Sequence, residues 1–140
     1  MRSNTKVSNG TAAWFDMAGS LMCKAASQAA LSPEMKLSLV ERYTDGIELS
    51  DGVVQGLRFD IVGGKPSFRV GARPTEVADI TVEISAKASR TLNSLYSADP
   101  EFGLAFARFQ KSGELRIDGD FARLGSWFNP VHDQIVESTS

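Results

Sequence analysis

Four segments of the chain alternate between apolar and polar residues, as half-buried β-strands do. They read LRFDIV, SFRV, ADITVEI and ELRID and occupy residues 57–62, 67–70, 78–84 and 114–118. Apart from Val62 at the end of the first segment, the apolar residues share one face, and charged or hydroxyl residues share the other. A sheet built from such strands has one solvated face, so we expect all its helices on the opposite face.

Apolar residues spaced three and four positions apart predict helices on both sides of these strands. The first predicted helix covers residues 11–30, and a second restarts in LSPEMKLSLVERY, with Ser32 as N-cap and Pro33 at the first helical position. Two more are predicted over residues 85–96 and 99–113. A last helix is predicted from Asp120 past Phe128, with a final turn or two running to about Val136.

Turn signals separate these elements. Gly63-Gly64 predicts a hairpin, and IEL, between two Asp-Gly pairs, predicts a short edge strand. Gly119 and Asp120 predict the end of the last strand and the cap of the helix behind it. The resulting order is helices, three or four strands, two helices, one strand and a terminal helix, which is an α+β fold and not a βαβ nucleotide-binding unit.

Composition narrows the class of protein. The chain has 140 residues and a net charge of −2, which gives no basic surface for nucleic acid. No apolar run approaches the length of a membrane span. The polar residues 1–10 predict a disordered leader and not a secretory signal. One cysteine, Cys23, fits a reducing cytoplasm, and a single histidine with it gives no zinc site, so we expect a cytoplasmic domain with no cofactor.

The order of elements and three motifs resemble the sterol carrier protein 2-like family over residues 32–136. GLRFDIVGGKPSFRVG, residues 56–71, is similar to the paired strands that the family joins by a Gly-Lys turn. ADITVEIS, residues 78–85, is similar to its Ala-Asp-x-Thr-[Ile/Val] strand. AFARFQKSGELRIDGDFARL, residues 105–124, is similar to its Phe-rich helix, Gly-Asp-ended strand and following helix.

The resemblance implies a largely antiparallel sheet of about five strands, covered by helices on one face, with a hydrophobic tunnel between the layers. It also implies one lipid-binding domain over residues 11–140, in which residues 11–31 form an additional helix. Family members bind fatty acids, acyl-CoAs, sterols or isoprenoid lipids, and bacterial relatives include accessory proteins of quinone biosynthesis. Two departures affect the expected ligand: LNSLYSADP replaces the family's Leu-x-x-Gly, and Gly113-Glu114-Leu115 replaces Gly-Lys-Leu.

The candidate ligand-binding residues are aromatic and apolar residues on the helices predicted after the strand at residues 78–84. They either fill the core or line the implied tunnel, and the two roles are compatible. Trp127 lies about 100° from the stripe of Phe121 and Phe128 on an ideal helix, so it could sit at a rim. The complete candidate set is Leu92, Tyr96, Phe102, Phe106, Phe109, Phe121, Leu124, Trp127 and Phe128.

No catalytic residue is expected. His132 is interpreted as a solvated histidine rather than a general base. The leading hypothesis is a non-catalytic module that binds and transfers or presents a fatty acyl, sterol or isoprenoid lipid, with transient membrane contact. One alternative is a small enzyme on the same fold, which would use a buried polar residue: Arg73, Glu76, Tyr96 or Arg108. Another is an accessory subunit, with the first helix as a homodimer contact or a lid.

Overall fold

A computed structural model describes residues 6–140, so half of the predicted leader, residues 1–5, lies outside the described part. The described residues form one sheet and four α-helices. The strands are β1 Leu37–Tyr43, β2 Glu48–Ser50, β3 Val53–Val62, β4 Lys65–Ala72, β5 Ile80–Ile84 and β6 Leu115–Asp118. The helices are α1 Ala12–Gln28, α2 Ala86–Leu92, α3 Pro100–Ser112 and α4 Val131–Glu137.

The sheet is largely antiparallel. β3 pairs antiparallel with both β1 and β4, its first residues also pair with β2, and β5 pairs antiparallel with β6. β1 and β5 run parallel, which joins the two halves of the sheet. The α+β fold with a largely antiparallel sheet is therefore confirmed, with six strands where about five were predicted.

The two faces of the sheet differ as their alternation predicted. The apolar residues of the strands face the helices and form one buried cluster with them. The opposite face carries ion pairs: Arg42 and Glu83 are register partners on β1 and β5, and their side chains are 2.9 Å apart. Glu76, in the loop before β5, pairs with Arg58 at 2.9 Å and also with Arg69. These ion-paired residues thus lie away from the helix-covered face, which is apolar except for Glu41 on β1.

The predicted helix in LSPEMKLSLVERY is wrong, because this segment forms a turn followed by β1. The hydroxyl of Ser32 accepts a hydrogen bond from the backbone of Glu34, but only a single turn forms there. β1 lies between β3 and β5, so its backbone groups bond on both sides. Val40, on the charged face, is also fully buried. It lies three residues after Leu37, and this apolar spacing is the one that predicted a helix.

The predicted helix behind Asp120 is also wrong in part. Asp120 caps as expected and accepts a hydrogen bond from the backbone N–H of Ala122 at 2.9 Å. The chain then makes two 3₁₀ turns, Phe121–Leu124 and Ser126–Phe128, instead of one α-helix. Gly125 separates them with φ 106° and ψ 170°, a conformation that no helix contains. α4 follows and ends one residue past Val136.

Helix α1 is an integral part of the core. Trp14, Phe15, Ala18 and Met22 are buried, and α1 packs against β3, β4 and α4. A Cβ atom on Gly19 would lie 2.2 Å from the ring of Phe68, so only glycine allows this close approach of helix to sheet. The apolar face of α1, the helix for which a dimer contact or a lid was one alternative, is therefore covered by the chain's own sheet.

The described end of the predicted disordered leader is bonded to the rest of the domain. Val7 forms a parallel bridge with Thr139, next to α4. The side-chain oxygen of Asn9 accepts a hydrogen bond from the hydroxyl of Tyr43 at 3.2 Å. Residues 6–10 thus differ from the prediction, because polar side chains find partners on β1 and near α4. Within residues 6–140, no helix has the length and apolar character needed to cross a bilayer.

Candidate functional site

An apolar cavity of about 200 Å³ lies between the sheet and the helices. Its floor is formed by four strands, and its other walls come from all four helices and the two 3₁₀ turns. The strands contribute Leu39, Glu41, Leu57, Val82, Ile84, Leu115 and Ile117. The remaining lining residues are Trp14, Phe15, Ala18, Met22, Leu92, Asn93, Phe102, Phe106, Phe121, Phe128, Val131, His132 and Ile135.

One carboxylate, Glu41, lies in the middle of this apolar floor. The register places Glu41 opposite Leu57 on β3 and opposite Val82 on β5, and Val82 is opposite Ile117 on β6. These four residues form a row across the sheet, and all four line the cavity. Since neighbouring strands flank Glu41 on both sides, the part of its side chain that is not buried faces the cavity.

The Glu41 carboxylate has no compensating partner. Among residues 6–140, no side chain or backbone group forms a hydrogen bond or an ion pair with it. Burial alone raises the pKa of Glu41 from its ordinary value of 4.5 to about 7. The group therefore changes its charge near neutral pH, inside a cavity whose other strand residues are apolar.

Further polar groups lie where α2 ends. The hydroxyl of Tyr43, two residues after Glu41, is 2.7 Å from that of Ser89, which is fully buried. The amide of Asn93 donates to the carbonyl of Ser89 at 2.8 Å, and Asn93 lines the cavity. Burial raises the pKa of Tyr43, and the nearby charge of Glu41 adds to this effect. Tyr43 thus remains a neutral hydrogen-bonding group.

Five of the nine candidate residues line the cavity: Leu92, Phe102, Phe106, Phe121 and Phe128. Phe109 and Leu124 are buried in the core but are not among the lining residues. Tyr96 lies past the end of α2 and is exposed. The aromatic residues therefore divide into cavity wall and plain core, as the two open interpretations allowed.

Trp127, which could sit at a rim, is partly exposed, and its ring packs against the sheet. Its ring centroid lies 6.2 Å from that of Phe59 on β3 and 5.6 Å from that of Phe128. The indole nitrogen is buried and has no hydrogen-bond partner in the described part of the chain. The rim argument assumed a continuous helix, and the break at Gly125 turns the indole towards the sheet instead.

His132 is not the solvated histidine that we expected. It is half-buried, its Nε2 lies 2.8 Å from the carbonyl oxygen of Leu95, and its ring centroid is 4.6 Å from that of Phe102. It also lines the cavity. Within residues 6–140, no three His, Cys, Asp or Glu side chains are grouped so that they could hold a metal ion.

The four polar residues proposed for an enzymatic alternative lie outside the cavity. Arg73 and Arg108 are exposed, like Tyr96, and Glu76 belongs to the charged face of the sheet. The side chain that meets the description is Glu41, which sequence reasoning missed. The sequence did contain a signal for it. Every second residue of this segment lies on one face of a strand, and that face comprises Leu37, Leu39, Glu41 and Tyr43. The prediction of a helix over this segment hid that pattern.

A known protein that is similar to this chain in sequence is much longer than the chain. No protein-family model matches the chain. A 4-methylaminobutanoate oxidase (formaldehyde-forming) from Paenarthrobacter nicotinovorans is 30% identical over 105 residues, which are 74% of this chain. The match covers 11% of the oxidase, so the chain spans about a tenth of that relative.

Two solved structures match almost the whole chain. A solution structure from Thermus thermophilus, described as possibly sterol carrier protein, has a TM-score of 0.53 and 12% identity. That match covers 97% of this chain and 94% of the other. The crystal structure of sterol carrier protein 2 has a TM-score of 0.51 and 12% identity, over 91% of this chain and 96% of the other. With the one-sided sheet and its helical cover, these likenesses show that the chain has the fold of the sterol carrier protein 2-like proteins.

Proposed function

We propose that this chain binds a hydrophobic molecule in the cavity between its sheet and helices and transfers or presents it. The observation that carries the proposal is the cavity itself, about 200 Å³ in volume and lined mainly by aliphatic and aromatic side chains. Concave apolar sites with a few polar groups are the usual form of small-molecule sites in proteins. The proposed ligand is a fatty acyl, sterol or isoprenoid lipid.

The free energy of an empty cavity supports occupancy. Closed apolar cavities destabilise a protein by about 24 cal/mol per Å³, so about 5 kcal/mol is the upper limit for this partly open cavity of 200 Å³. Domains of this kind unfold with only about 5–15 kcal/mol in total. A ligand that fills the cavity recovers part of this loss, and its binding is therefore coupled directly to the stability of the fold.

The size of the cavity favours a chain over a ring system. An apolar cavity of about 150 Å³ holds one benzene molecule, whereas drug-sized ligands occupy about 300–1,000 Å³. A segment of an acyl or isoprenoid chain fits the present volume, while a sterol requires the walls to move. Phe121 and Phe128 are placed to move, since they belong to short 3₁₀ turns and Phe121 is 40% exposed.

Filling the cavity from within is expected to weaken ligand binding. In Val82→Phe a phenyl ring replaces the smaller isopropyl group and enters the cavity beside Glu41. We expect this variant to bind a fatty acid at least about tenfold more weakly and to be as stable as the wild type or more stable. In the wild-type protein, a fatty acid at one hundred times its Kd should raise Tm by about 10 °C. Thermal unfolding with and without ligand measures both effects.

Val77→Phe is the matched control, because Val77 is 72% exposed and lies in the loop before β5, away from the cavity. This variant should bind as the wild type does. Denaturing extraction followed by mass spectrometry reports lipid that copurifies with the protein. The proposal fails if no lipid is extracted and neither fatty acids nor isoprenoid alcohols raise Tm.

A second candidate function is a small enzyme that acts on a hydrophobic substrate, and Glu41 is the observation that favours it. A carboxyl group with a pKa of about 7 is suited to act as a general acid or base at neutral pH. We expect ligands to be recovered chemically unchanged after incubation with the protein, as judged by chromatography and mass spectrometry. A product that forms with the wild type and not with Glu41→Gln would instead establish the enzyme.

A further inference from the structure

The unpaired carboxylate of Glu41 is the one charged side chain that the strands place in the cavity floor. It lies between Leu57 and Val82 in the row across the sheet, where a leucine would complete the apolar surface. Its position leaves it accessible from the cavity and shielded from the solvent on the outer face of the sheet. A group in this position can be satisfied by whatever occupies the cavity.

We propose that Glu41 binds the polar end of the ligand, and that this end donates a hydrogen bond, as the hydroxyl of a long-chain alcohol or the ammonium group of a long-chain amine does. This inference rests on the proposed function and deepens it, because it names the head group and its location. The ligand enters with its polar end inward, and its tail lies among the aromatic residues of α3 and the 3₁₀ turns.

Hydrogen-bond chemistry explains the choice of head group. An ionised carboxylate accepts hydrogen bonds and donates none, so it pairs with hydroxyl and ammonium groups. Buried acceptors without a partner are unfavourable, and a donor from the ligand removes that cost. A fatty acid carboxylate has no proton to donate, and two carboxylates close together repel each other. Alcohols and amines should therefore bind in preference to the anions of fatty acids.

The other groups around the cavity do not replace this partner. Tyr43, on the same strand, interacts electrostatically with Glu41, and His132 on α4 is the other titratable side chain among the described lining residues. The nitrogen Nε2 of His132 is already bonded to the carbonyl of Leu95. The lining residues contributed by α1, α2, α3 and the neighbouring strands carry no charge. Among the lining residues of the described chain, Glu41 is therefore the group that can select the head group by charge.

Three probes with the same eight-carbon chain and different head groups test the inference. They are octanol, octylamine and octanoate. Affinities are measured by calorimetry at pH 5.5 and pH 8.5 for the wild type, Glu41→Leu and Glu41→Gln. At pH 8.5 we expect the wild type to bind octanol and octylamine at least about tenfold more tightly than octanoate. Because a hydrogen bond between charged groups is lost, the affinity for octylamine should fall about tenfold to hundredfold in both variants. Glutamine still accepts a hydrogen bond, so Glu41→Gln should retain octanol binding better than Glu41→Leu.

The pH arms distinguish the two head groups. Octylamine requires the ionised carboxylate, so its affinity for the wild type should rise from pH 5.5 to pH 8.5, whereas octanol should change little. Glu101→Gln, at an exposed position of α3, removes a surface carboxylate and should leave all three affinities unchanged.

Each result separates this inference from the proposed function. If Glu41→Leu and Glu41→Gln keep the wild-type order of the three affinities, the role of Glu41 is wrong while hydrophobic binding stands. Tighter binding of octanoate than of octanol by the wild type at pH 8.5 would also overturn it. If none of the three probes binds the wild type at either pH, both the inference and the proposed function fail.

Discussion

Phe15→Ala is expected to lower the free energy of unfolding by about 3–5 kcal/mol. Phe15 lies on α1, is 1% exposed, and packs edge-on against Trp14 and Tyr43, with ring centroids 5.1 and 5.4 Å away. Truncation removes these contacts and enlarges a cavity that Phe15 already lines. Urea denaturation followed by circular dichroism measures the loss, which would be a large part of the stability of a domain of this size.

Leu104→Ala provides the control for this experiment. Leu104 is 61% exposed on α3, so its truncation should change the stability by no more than about 0.5 kcal/mol. The comparison decides whether α1 belongs to the folded unit or is an appended helix, as its position outside the family resemblance suggested. A loss below about 1 kcal/mol in Phe15→Ala would show that α1 is not part of the cooperative core.

The one-sided sheet was predictable because alternation fixes which face of a strand is apolar, whatever the order of the strands. In strands β3, β4, β5 and β6, charged or hydroxyl residues alternate with apolar ones, and the sequence shows this directly. β1 was missed for a physical reason. It lies between β3 and β5 and has Val40 buried on the charged face, so its alternation is broken at the centre.

The same error concealed the centre of the candidate site. A carboxylate on a helix is ordinary, whereas a carboxylate on the apolar face of a central strand is costly and needs a reason. Glu41 became conspicuous once β1 was placed in the sheet. The aromatic wall was easier to predict, because Phe102 and Phe106 lie one helical turn apart on α3. Phe109, on the same stripe, could not be separated from the wall without the position of the cavity.

Glu41→Leu is expected to make the unliganded protein more stable at pH 8 and to remove most of its pH dependence between pH 4.5 and 8. In the wild type, the folded state raises the pKa of Glu41 from 4.5 to about 7, so it holds a proton that the unfolded chain releases. Relative to the variant, the wild type is therefore most stable below pH 4.5. This relative stability is lost as the pH rises from 4.5 through about 7. The difference corresponds to about 3 kcal/mol at pH 8.

The difference between the free energies of unfolding of the wild type and Glu41→Leu, taken at each pH, isolates the contribution of Glu41. Hydrogen bonds from the backbone N–H groups of Ser38 and Ser97 lower the pKa values of Asp79 and Asp133, whose stabilising contributions disappear in acid. These groups are present in both proteins, so their effects cancel in the difference. Glu41→Gln should also lack the slope between pH 4.5 and 8, since the slope comes from ionisation and not from side-chain size. Urea denaturation at several pH values provides the curves. Parallel curves for the wild type and both variants would mean that the carboxylate is solvated in the folded protein, and that the cavity floor contains water where an apolar ligand is proposed.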